Sequence, residues 1–296
     1  MKSRSRAFRS LRPVTQHELP SFDLVVATVD RVDPLDRLLD SLDRQTLRSF
    51  RVLIVDQNDD DRIAPVLESH AALDLVRLRS PRGLSRARNA ALDDLDADLV
   101  AFPDDDCTYA ENLLERIAAR FAADPGLDGL SGRGADHEGR SSPSWKDDAA
   151  VVTRNDLWNR AASYALFLRH EAVRRVGRFD ERLGLGSGEP WSSGEEIDYV
   201  IRALDAGSRI EYDPELVVEH DVRENDGAIG RRDGASVGYL LRKHGYGPRM
   251  LGRMLVRPVG GTLAAAARRD RVGAAFYAET LRGRVSGYLR SRPERQ

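Results

Sequence analysis

Residues 99–108 read Leu-Val-Ala-Phe-Pro-Asp-Asp-Asp-Cys-Thr, and this stretch decides how the rest of the chain is interpreted. Its first four residues are apolar and too few for a helix, so they predict a buried strand. Asp104, Asp105 and Asp106 then crowd three carboxylates at the strand end, where a cation would relieve their repulsion. Mg²⁺ and Mn²⁺ prefer oxygen ligands, and phosphates supply more of them. The stretch therefore predicts a metal site for a phosphorylated ligand, the alternative being a solvated turn, which aspartate also favours.

Strands and helices alternate around this stretch. Apolar runs predict strands at residues 23–29, 51–55, 73–78 and 99–102, and helical spacing predicts helices at residues 34–42, 63–70, 86–95 and 110–123. The alternation predicts an α/β fold with a mainly parallel central sheet flanked by helices. Ligands bind at the carboxyl ends of such strands. Asp30, Asp56 and the three acids at 104–106 all fall at those ends, which favours a ligand site over a solvated turn.

The second half of the chain is less regular. Residues 132–148 are rich in Gly, Ser and charge and predict a mobile loop, and the glycine-rich residues 183–194 predict a second one. Further strands are predicted at residues 163–168, 210–212 and 216–218, and further helices at residues 170–176 and 194–204. Leucine and valine spaced among arginines from residue 237 to residue 289 predict two or three additional helices.

The composition is that of a soluble globular protein. The 296 residues, 41% hydrophobic and 32% charged, are enough for one large domain with an appendage. No run approaches the ~20 apolar residues that a bilayer span needs. Cys107 is the only cysteine, which excludes an intrachain disulfide and favours a reducing, cytoplasmic location. Residues 1–12 are basic without a following apolar core, so we expect a flexible arm rather than a secretory signal.

Charge is divided unevenly along the chain. From residue 221 onward there are 16 lysines and arginines against 7 acids, a net charge of +9, whereas residues 1–220 carry −11. A basic tail favours an anionic partner, although a solvated helical face is the ordinary explanation. With no recognised nucleic-acid motif, the hypothesis is a peripheral contact with the inner face of the cell membrane, and the rival is an oligomerisation or lid region.

Six segments occur in an order that resembles the family 2 glycosyltransferases. They lie at residues 24–29, 52–56, 83–91, 102–106, 176–181 and 194–198, and the likeness covers roughly residues 22–220. The resemblance implies the GT-A fold, a nucleotide-diphospho-sugar transferase fold with a metal-binding DxD motif. It implies a flexible basic arm at residues 1–20, a GT-A catalytic domain at residues 21–221 and a basic helical extension at residues 222–296.

The resemblance also implies which residues hold the nucleotide. Thr28, Asp30, Asp56 and Arg88 match positions that contact the base and ribose. Loop chemistry after a strand is the alternative for Thr28 and Asp30, and an exposed helix arginine is the alternative for Arg88. Asp56 is better supported, because a carboxylate at a strand end can accept from a base N–H or a ribose hydroxyl.

The metal site is implied in the same way. Asp104 and Asp106 match the two acids of the DxD motif, the first near the ribose and the second on Mn²⁺ or Mg²⁺, while Asp105 occupies the variable middle position and can exchange roles with either neighbour. His220 resembles a metal-ligand histidine after the last core strand. A lone histidine is as often structural.

The acceptor site is implied by residues 194–198. Gly194-Glu195-Glu196 resembles the Glu-Asp motif whose second acid is the catalytic base, here the longer Glu196, so Asp198 is a second candidate for the base and Glu195 is expected to bind acceptor hydroxyls. Acids in a first helical turn also satisfy the helix dipole, which is the structural alternative. Trp191 precedes the motif and is expected to stack on an acceptor sugar, a placement that Trp145 and Trp158 lack.

The implied reaction transfers a sugar, with inversion, from a nucleotide-diphosphate sugar to a hydroxyl of a glycan, lipid-linked or small-molecule acceptor, as in polysaccharide or cell-envelope biosynthesis. The lack of a Gln-x-x-Arg-Trp motif favours single addition over processive synthesis. A sugar nucleotidyltransferase would need a glycine-rich phosphate loop after the first strand, and residues 28–33 contain no glycine. A non-catalytic nucleotide-sugar-binding relative is the other alternative, although it would have little reason to keep both acidic clusters.

Overall fold

The computed structural model describes residues 19–220 and 226–290. The predicted arm at residues 1–20 lies outside this range except for its last two residues. Residue 221, where the predicted catalytic domain ends, and the flanks of the predicted extension (residues 222–225 and 291–296) also lie outside the described residues.

The first half of the sheet follows the predicted alternation. Its elements are β1 (Phe22–Thr28), α1 (Asp33–Asp43), β2 (Phe50–Asp56), α2 (Ala64–Ser69), β3 (Leu75–Arg79), α3 (Leu84–Ala91) and β4 (Leu99–Ala101). The four strands are parallel in the order β3-β2-β1-β4. Helices cover both faces, so the strands read as continuous apolar runs. Their carboxyl ends all lie at one edge, where the predicted ligand residues follow.

The second half of the sheet is mixed. Its elements are β5 (Cys107–Thr108), α4 (Leu113–Ala123), β6 (Gly129–Ala135), β7 (Ala150–Val151), β8 (Leu166–Arg169), α5 (His170–Val176), α6 (Glu195–Asp205) and β9 (Ile210–His220). The order continues β4-β8-β6-β9-β5, and β7 pairs with β9. Only β6 and β9 are parallel in this half, so parallel pairing predominates only where strands and helices alternate strictly.

Two predictions in this half were wrong. Residues 132–135 do not belong to a mobile loop but to β6, where a side chain on Gly132 would collide with the carbonyl oxygen of Leu216, and one on Gly134 would collide with Tyr164. Glycine is needed here because neighbouring groups approach the strand closely. The two short strands predicted at residues 210–212 and 216–218 are one strand, β9, with a register irregularity in its pairing to β6.

A buried histidine joins α1 to the end of α2. His70 Nδ1 lies 2.6 Å from Asp43 Oδ2, and Nε2 lies 3.0 Å from Asp36 Oδ1 and 3.9 Å from Asp40 Oδ1. Burial alone lowers the pKa of His70, but the hydrogen bonds and charges of Asp43 and Asp36 outweigh it and raise the pKa above its ordinary value. In its protonated form the imidazole therefore stabilises the packing of these two helices.

Three helices follow the sheet in the described residues, where the sequence predicted two or three: α7 (Gly227–Lys243), α8 (Pro248–Ala267) and α9 (Arg271–Arg290). Glycines let α7 and α9 approach closely, since a side chain on Gly234 would collide with the carbonyl oxygen of Thr280, and one on Gly283 with that of Arg231. Among the helices of the described ranges, none combines the length and the apolar composition that crossing a bilayer requires.

Candidate functional site

The three consecutive acids have different surroundings. Asp105 is buried, and its carboxylate accepts from Thr28 Oγ1 at 2.8 Å and from Arg31 Nη1 at 2.9 Å. Burial raises the pKa of Asp105 to about 6, although the hydrogen bond from Thr28 and the charge of Arg31 oppose the shift. The predicted nucleotide residue Thr28 is thus hydrogen-bonded to the middle acid of the motif.

Asp104 and Asp106 meet His220. Antiparallel pairing of β5 with β9 sets Cys107 opposite His220, which brings the imidazole beside the acids. His220 Nε2 lies 3.2 Å from Asp106 Oδ1 and 3.6 Å from Asp104 Oδ2, and its ring stacks on Tyr164 at 4.4 Å between centroids. Burial by itself raises the pKa of Asp106, but His220 and Arg31 outweigh it and hold that pKa well below its usual range.

This triad is the one group of potential metal ligands found among the described residues. One ligand atom from each of Asp104, Asp106 and His220 lies within 4.8 Å of the other two. Two carboxylates and an imidazole form a donor set that suits Mn²⁺ and, less well, Mg²⁺. The three residues predicted as metal ligands from distant parts of the sequence are therefore adjacent, with a chemistry that fits a divalent cation.

A cavity of about 310 Å³ opens beside the triad. The cavity is formed by the ends of β1 and β4, the turn before α3 and residues 185–186, and it is lined by all three acids together with Arg31, Gln57 and Arg82. The last three were missed from the sequence, although Gln57 directly follows a strand end. Their donors give the cavity the polarity that a phosphorylated ligand needs.

The predicted nucleotide carboxylates Asp30 and Asp56 do not line this cavity, and neither do Thr28 and Arg88. Asp56 is buried, and its carboxylate is occupied by Arg77 at 2.6 Å and by the backbone N–H of Asn58 at 2.9 Å. Asp30 has a left-handed backbone (φ 57°) and forms ion pairs with Arg62 and Arg82. In this structure both carboxylates order the loops around the cavity, which disfavours direct contact with a base unless these arginines move.

Arg88 connects the two acidic motifs. The side chain is 1% exposed, with Nη1 2.8 Å from Glu195 Oε1 and Nη2 3.1 Å from Asp104 Oδ1. Its guanidinium carbon also lies 5.8 Å and 5.6 Å from the ring centroids of Phe102 and Phe179. The alternative of an exposed helix arginine is therefore wrong; Arg88 links Asp104 to Glu195, and its contact with a nucleotide stays a prediction.

A second cavity, of about 420 Å³, lies on the other side of Asp104. It is enclosed by the first turn of α6, by α7 and by residues 158–164, and it shares Leu84, Asp104 and Leu185 with the first cavity. Glu195 and Glu196 both line it. Two cavities that meet at one carboxylate can hold two reactants side by side.

Glu196 is the unoccupied carboxylate of this second cavity. Glu195 is bound to Arg88, whereas Glu196 makes no side-chain hydrogen bond or ion pair with any residue in the described ranges. Burial raises the pKa of Glu196, and the neighbouring carboxylate of Glu195 raises it further. With a pKa of about 8 the carboxyl of Glu196 is mostly protonated at pH 7, and its deprotonated form, which predominates above about pH 8, can accept a proton from a bound hydroxyl.

The arrangement disfavours the predicted roles of Asp198 and Trp191. Asp198 lines neither cavity, because it is fully buried and paired with Lys243, His244 and Arg202. Trp191 stacks on Tyr239 at 4.7 Å and 15° and also lines neither cavity. Trp158 lies in the wall of the second cavity instead, which no motif in the sequence indicated.

Residues 23–170 match the family model described as Glycosyl transferase family 2. The pre-mycofactocin glycosyltransferase of Mycobacterium tuberculosis is 29% identical over 217 residues, which cover 68% of this chain but only 42% of that relative. The succinoglycan biosynthesis protein ExoM of Rhizobium meliloti is 27% identical over 215 residues, 68% of each chain.

Solved structures share the fold. The mannosyltransferase PcManGT from Pyrobaculum calidifontis, in complex with GDP-Man and Mn²⁺, superposes with a TM-score of 0.64 at 17% identity, over 91% of this chain and 87% of its own. S. aureus TarS 1-349 in complex with UDP-GlcNAc gives a TM-score of 0.57 at 17% identity, over 88% and 91%. The predicted α/β fold of the GT-A type, with a helical C-terminal region, is confirmed by these likenesses.

Proposed function

The chain belongs to glycosyl transferase family 2, and we propose that it transfers a sugar from a nucleotide-diphosphate sugar to a hydroxyl group of an acceptor. The observation that carries the proposal is the meeting of two cavities at Asp104, one lined by acids and arginines and the other by the unoccupied Glu196. The first suits the diphosphate of the donor, and the second suits the acceptor hydroxyl that attacks the anomeric carbon of the sugar. The proposed donor cavity is the one beside the triad, and the proposed acceptor cavity is the one lined by Glu196.

A divalent cation is proposed to bind Asp104, Asp106 and His220 at the border of the donor cavity, which the two acids line, while His220 lines the acceptor cavity. When bound, Mn²⁺ or Mg²⁺ supplies positive charge that stabilises a diphosphate leaving group. Arg31 and Arg82 line the same cavity and bring further positive charge toward the phosphates. The buried Arg88 fixes the position of Asp104 relative to the acceptor cavity.

Glu196 is proposed as the catalytic base. It accepts the proton of the acceptor hydroxyl while the oxygen forms a bond to the anomeric carbon and the bond to the diphosphate breaks. A single displacement of this kind inverts the anomeric configuration. Glu195 bonds to Arg88 and is proposed to hold the Glu196 turn in position, in place of the contact with acceptor hydroxyls that the resemblance implied.

The donor half of the proposal is tested by thermal shift. The melting temperature is measured with UDP, GDP, dTDP and CMP sugars, each with Mn²⁺, Mg²⁺ or EDTA. One nucleotide class is expected to raise it only with metal, by mass action on the folded state. Asp106→Asn is expected to lose that rise, and Asp74→Asn, at an exposed position without a side-chain partner in the described ranges, is expected to keep it. A rise that persists in Asp106→Asn would contradict the assignment of the metal site.

The catalytic half is tested by release of nucleoside diphosphate from the donor so identified. Glu196→Gln is expected to lower kcat by roughly 100-fold or more, the usual contribution of a general base, without changing donor affinity. Glu68→Gln is the matched control, because Glu68 is exposed on α2 and remote from both cavities. Full activity in Glu196→Gln would remove Glu196 from the mechanism.

We also propose that α8 makes a peripheral contact with an anionic bilayer. Val256 and Leu263 are 68% and 67% exposed on this helix, which contains three arginines and no acidic residue. Apolar side chains beside arginines suit the interface of a negatively charged membrane. Flotation with phosphatidylglycerol vesicles is expected for the wild type and for the control Val151→Ser, which changes an exposed valine on β7, but not for Val256→Ser/Leu263→Ser. Equal flotation of all three would contradict the contact.

A further inference from the structure

A third cavity, of about 270 Å³, lies between α8 and residues 143–159. Its lining includes Lys146, Arg253 and Arg257 together with the indoles of Trp145 and Trp158. Trp158 also lines the acceptor cavity, so one side chain forms a wall between the two spaces. None of the residues assigned to the metal, the diphosphate or the catalytic base lines this third cavity.

The positive charge of this cavity is not balanced within the described residues. At ion-pair distance, no carboxylate of residues 19–220 or 226–290 faces Lys146, Arg253 or Arg257. Asp148 is close enough to influence Lys146, but its own carboxylate is held by Arg160 at 2.9 Å.

Arg284 of α9 adds to the excess of positive charge near this cavity. Its guanidinium donates to the carbonyl oxygen of Met254, itself a residue of the cavity lining, and it has no acidic partner in the described ranges. Burial lowers the pKa of Arg284 to about 10, and the nearby charge of Arg257 contributes to the shift. Lys146, Arg253 and Arg257 are exposed to solvent, and like charges that face one cavity without a carboxylate partner create a positive potential that attracts an anion.

The remaining lining suits a polar organic ligand. The side chains of Asn155 and Asn159 supply amide donors and acceptors, and the two indoles supply flat apolar surface. Guanidinium groups bind phosphate oxygens through paired N–H donors, which makes arginine the usual residue for such groups.

We propose that this cavity binds a phosphate-type oxyanion carried by the acceptor, whose reacting hydroxyl lies across Trp158 in the cavity of Glu196. The inference rests on the proposed function and assigns an acceptor class to it, the phosphorylated glycosides. A soluble sugar phosphate and a sugar linked through phosphate to a lipid share this chemistry.

The anion site is tested without catalysis by tryptophan fluorescence. Two of the three tryptophans line the cavity, so inorganic pyrophosphate is expected to change the emission when titrated in EDTA, which suppresses metal-dependent binding in the donor cavity. Arg253→Gln/Arg257→Gln is expected to weaken this binding about tenfold or more, because two charged donors are lost. Arg249→Gln removes an exposed arginine of the same helix outside the cavity and is expected to bind like wild type. Arg257→Lys keeps the charge and is expected to retain part of the affinity.

A second experiment identifies the source of the phosphate. Transfer is measured as kcat/KM for a neutral sugar, the matching soluble sugar phosphate and a polyprenyl-phosphate-linked sugar in detergent. Wild type and Arg249→Gln are expected to prefer one phosphorylated acceptor over the neutral sugar about tenfold or more, and the double variant is expected to lose that preference. The phosphorylated acceptor with the higher kcat/KM identifies whether the phosphate belongs to a soluble sugar phosphate or to a lipid-linked sugar.

The outcomes distinguish failure of the anion site from failure of the proposed transferase function. No fluorescence response to pyrophosphate, or an equal response in the double variant and Arg249→Gln, would overturn the anion site. Equal kcat/KM for neutral and phosphorylated acceptors would overturn its assignment to the acceptor. Failure of wild type to turn over any donor would instead count against the proposed transferase function, while the fluorescence titration would still decide the anion site.

Discussion

Replacement of Asp198 by asparagine distinguishes a structural carboxylate from a catalytic one. The Asp198 side chain is fully buried, with Lys243 Nζ and His244 Nε2 each 2.8 Å from Oδ1 and Arg202 Nε 2.9 Å from Oδ2. Two of these partners belong to the end of α7, so the carboxylate ties α7 to α6. We expect Asp198→Asn to destabilise the fold and to leave the chemical step nearly intact.

The magnitude follows from what the substitution leaves behind. Lys243 and His244 have side chains only 6% and 8% exposed, and removing one member of a buried ion pair typically costs about 3–5 kcal/mol. Asp180 still contacts Lys243 at 2.7 Å and compensates part of the charge, so we expect a loss of about 3 kcal/mol in the free energy of unfolding. Urea unfolding at neutral pH, followed by circular dichroism, measures it.

The pH dependence gives an independent check. Burial alone raises the pKa of Asp198, but the hydrogen bond from His244 and the charges of Lys243 and Arg202 outweigh it and hold the pKa well below its usual range. A carboxyl with a lowered pKa stabilises the fold above its unfolded-state pKa of about 3.9 and loses that contribution as the pH falls further. The difference between wild type and Asp198→Asn is therefore expected to be full at neutral pH and to shrink below about pH 4.

The refuting result is equally definite. If Asp198→Asn unfolds at the same urea concentration as wild type but loses roughly 100-fold in kcat, Asp198 acts on the acceptor and the structural assignment is wrong. A double-mutant cycle with Lys243→Met, whose coupling energy should be well above zero, confirms that the measured loss belongs to this contact.

Three other substitutions follow from the packing. Arg88→Met removes the cation that pairs with both Glu195 and Asp104; Glu195 loses its charged partner, while Asp104 keeps His220. The substitution is expected to cost about 3 kcal/mol of unfolding free energy in urea titrations, and a change below about 1 kcal/mol would contradict the link between the acidic motifs. Gly234→Ala drives a methyl group into the Thr280 carbonyl and is expected to destabilise by about 1–3 kcal/mol, whereas Gly252→Ala, in open space on α8, is expected to raise stability by up to about 1 kcal/mol. The pKa of His70 is raised in the folded state, so its contribution to the free energy of unfolding is full below about pH 6.5 and is lost as the pH rises. His70→Gln is expected to remove this contribution, measured as the free energy of unfolding against pH. If the slope of that plot is unchanged in the variant, His70 is not its source.

Much of the donor side of the fold was accessible from sequence because its signals are local. Buried parallel strands read as apolar runs, helices as apolar residues three and four apart, and ligand residues as acids at strand ends. The parallel pairing of β1 with β2 and β4 and the position of their carboxyl ends at one edge agree with those patterns, whereas the order of the strands was not predicted. The acids at 104–106 were recognisable because three adjacent carboxylates need a compensating partner wherever they lie.

The glycines at residues 132 and 134 are compatible with two different structures, a mobile loop and a closely packed strand. The run at residues 132–135 suggested mobility, but glycine serves equally well where the backbone of a neighbour comes too close for a Cβ. Which of these applies at Gly132 depends on Leu216, a residue far along the chain whose position only the folded sheet defines.

The sequence by itself determined the fold class and the chemical types present at the site: carboxylates at strand ends, an acidic helix start and a histidine after the last strand. Only the tertiary structure decided which carboxylates are occupied and which is free. Glu195 is paired with Arg88, 107 residues away, and Asp198 is hydrogen-bonded to His244, 46 residues away, while Glu196 keeps no such partner among the described residues. The physical reason is that ion pairing and desolvation act over a few ångströms in space, so a carboxylate's reactivity depends on neighbours that the linear order does not reveal.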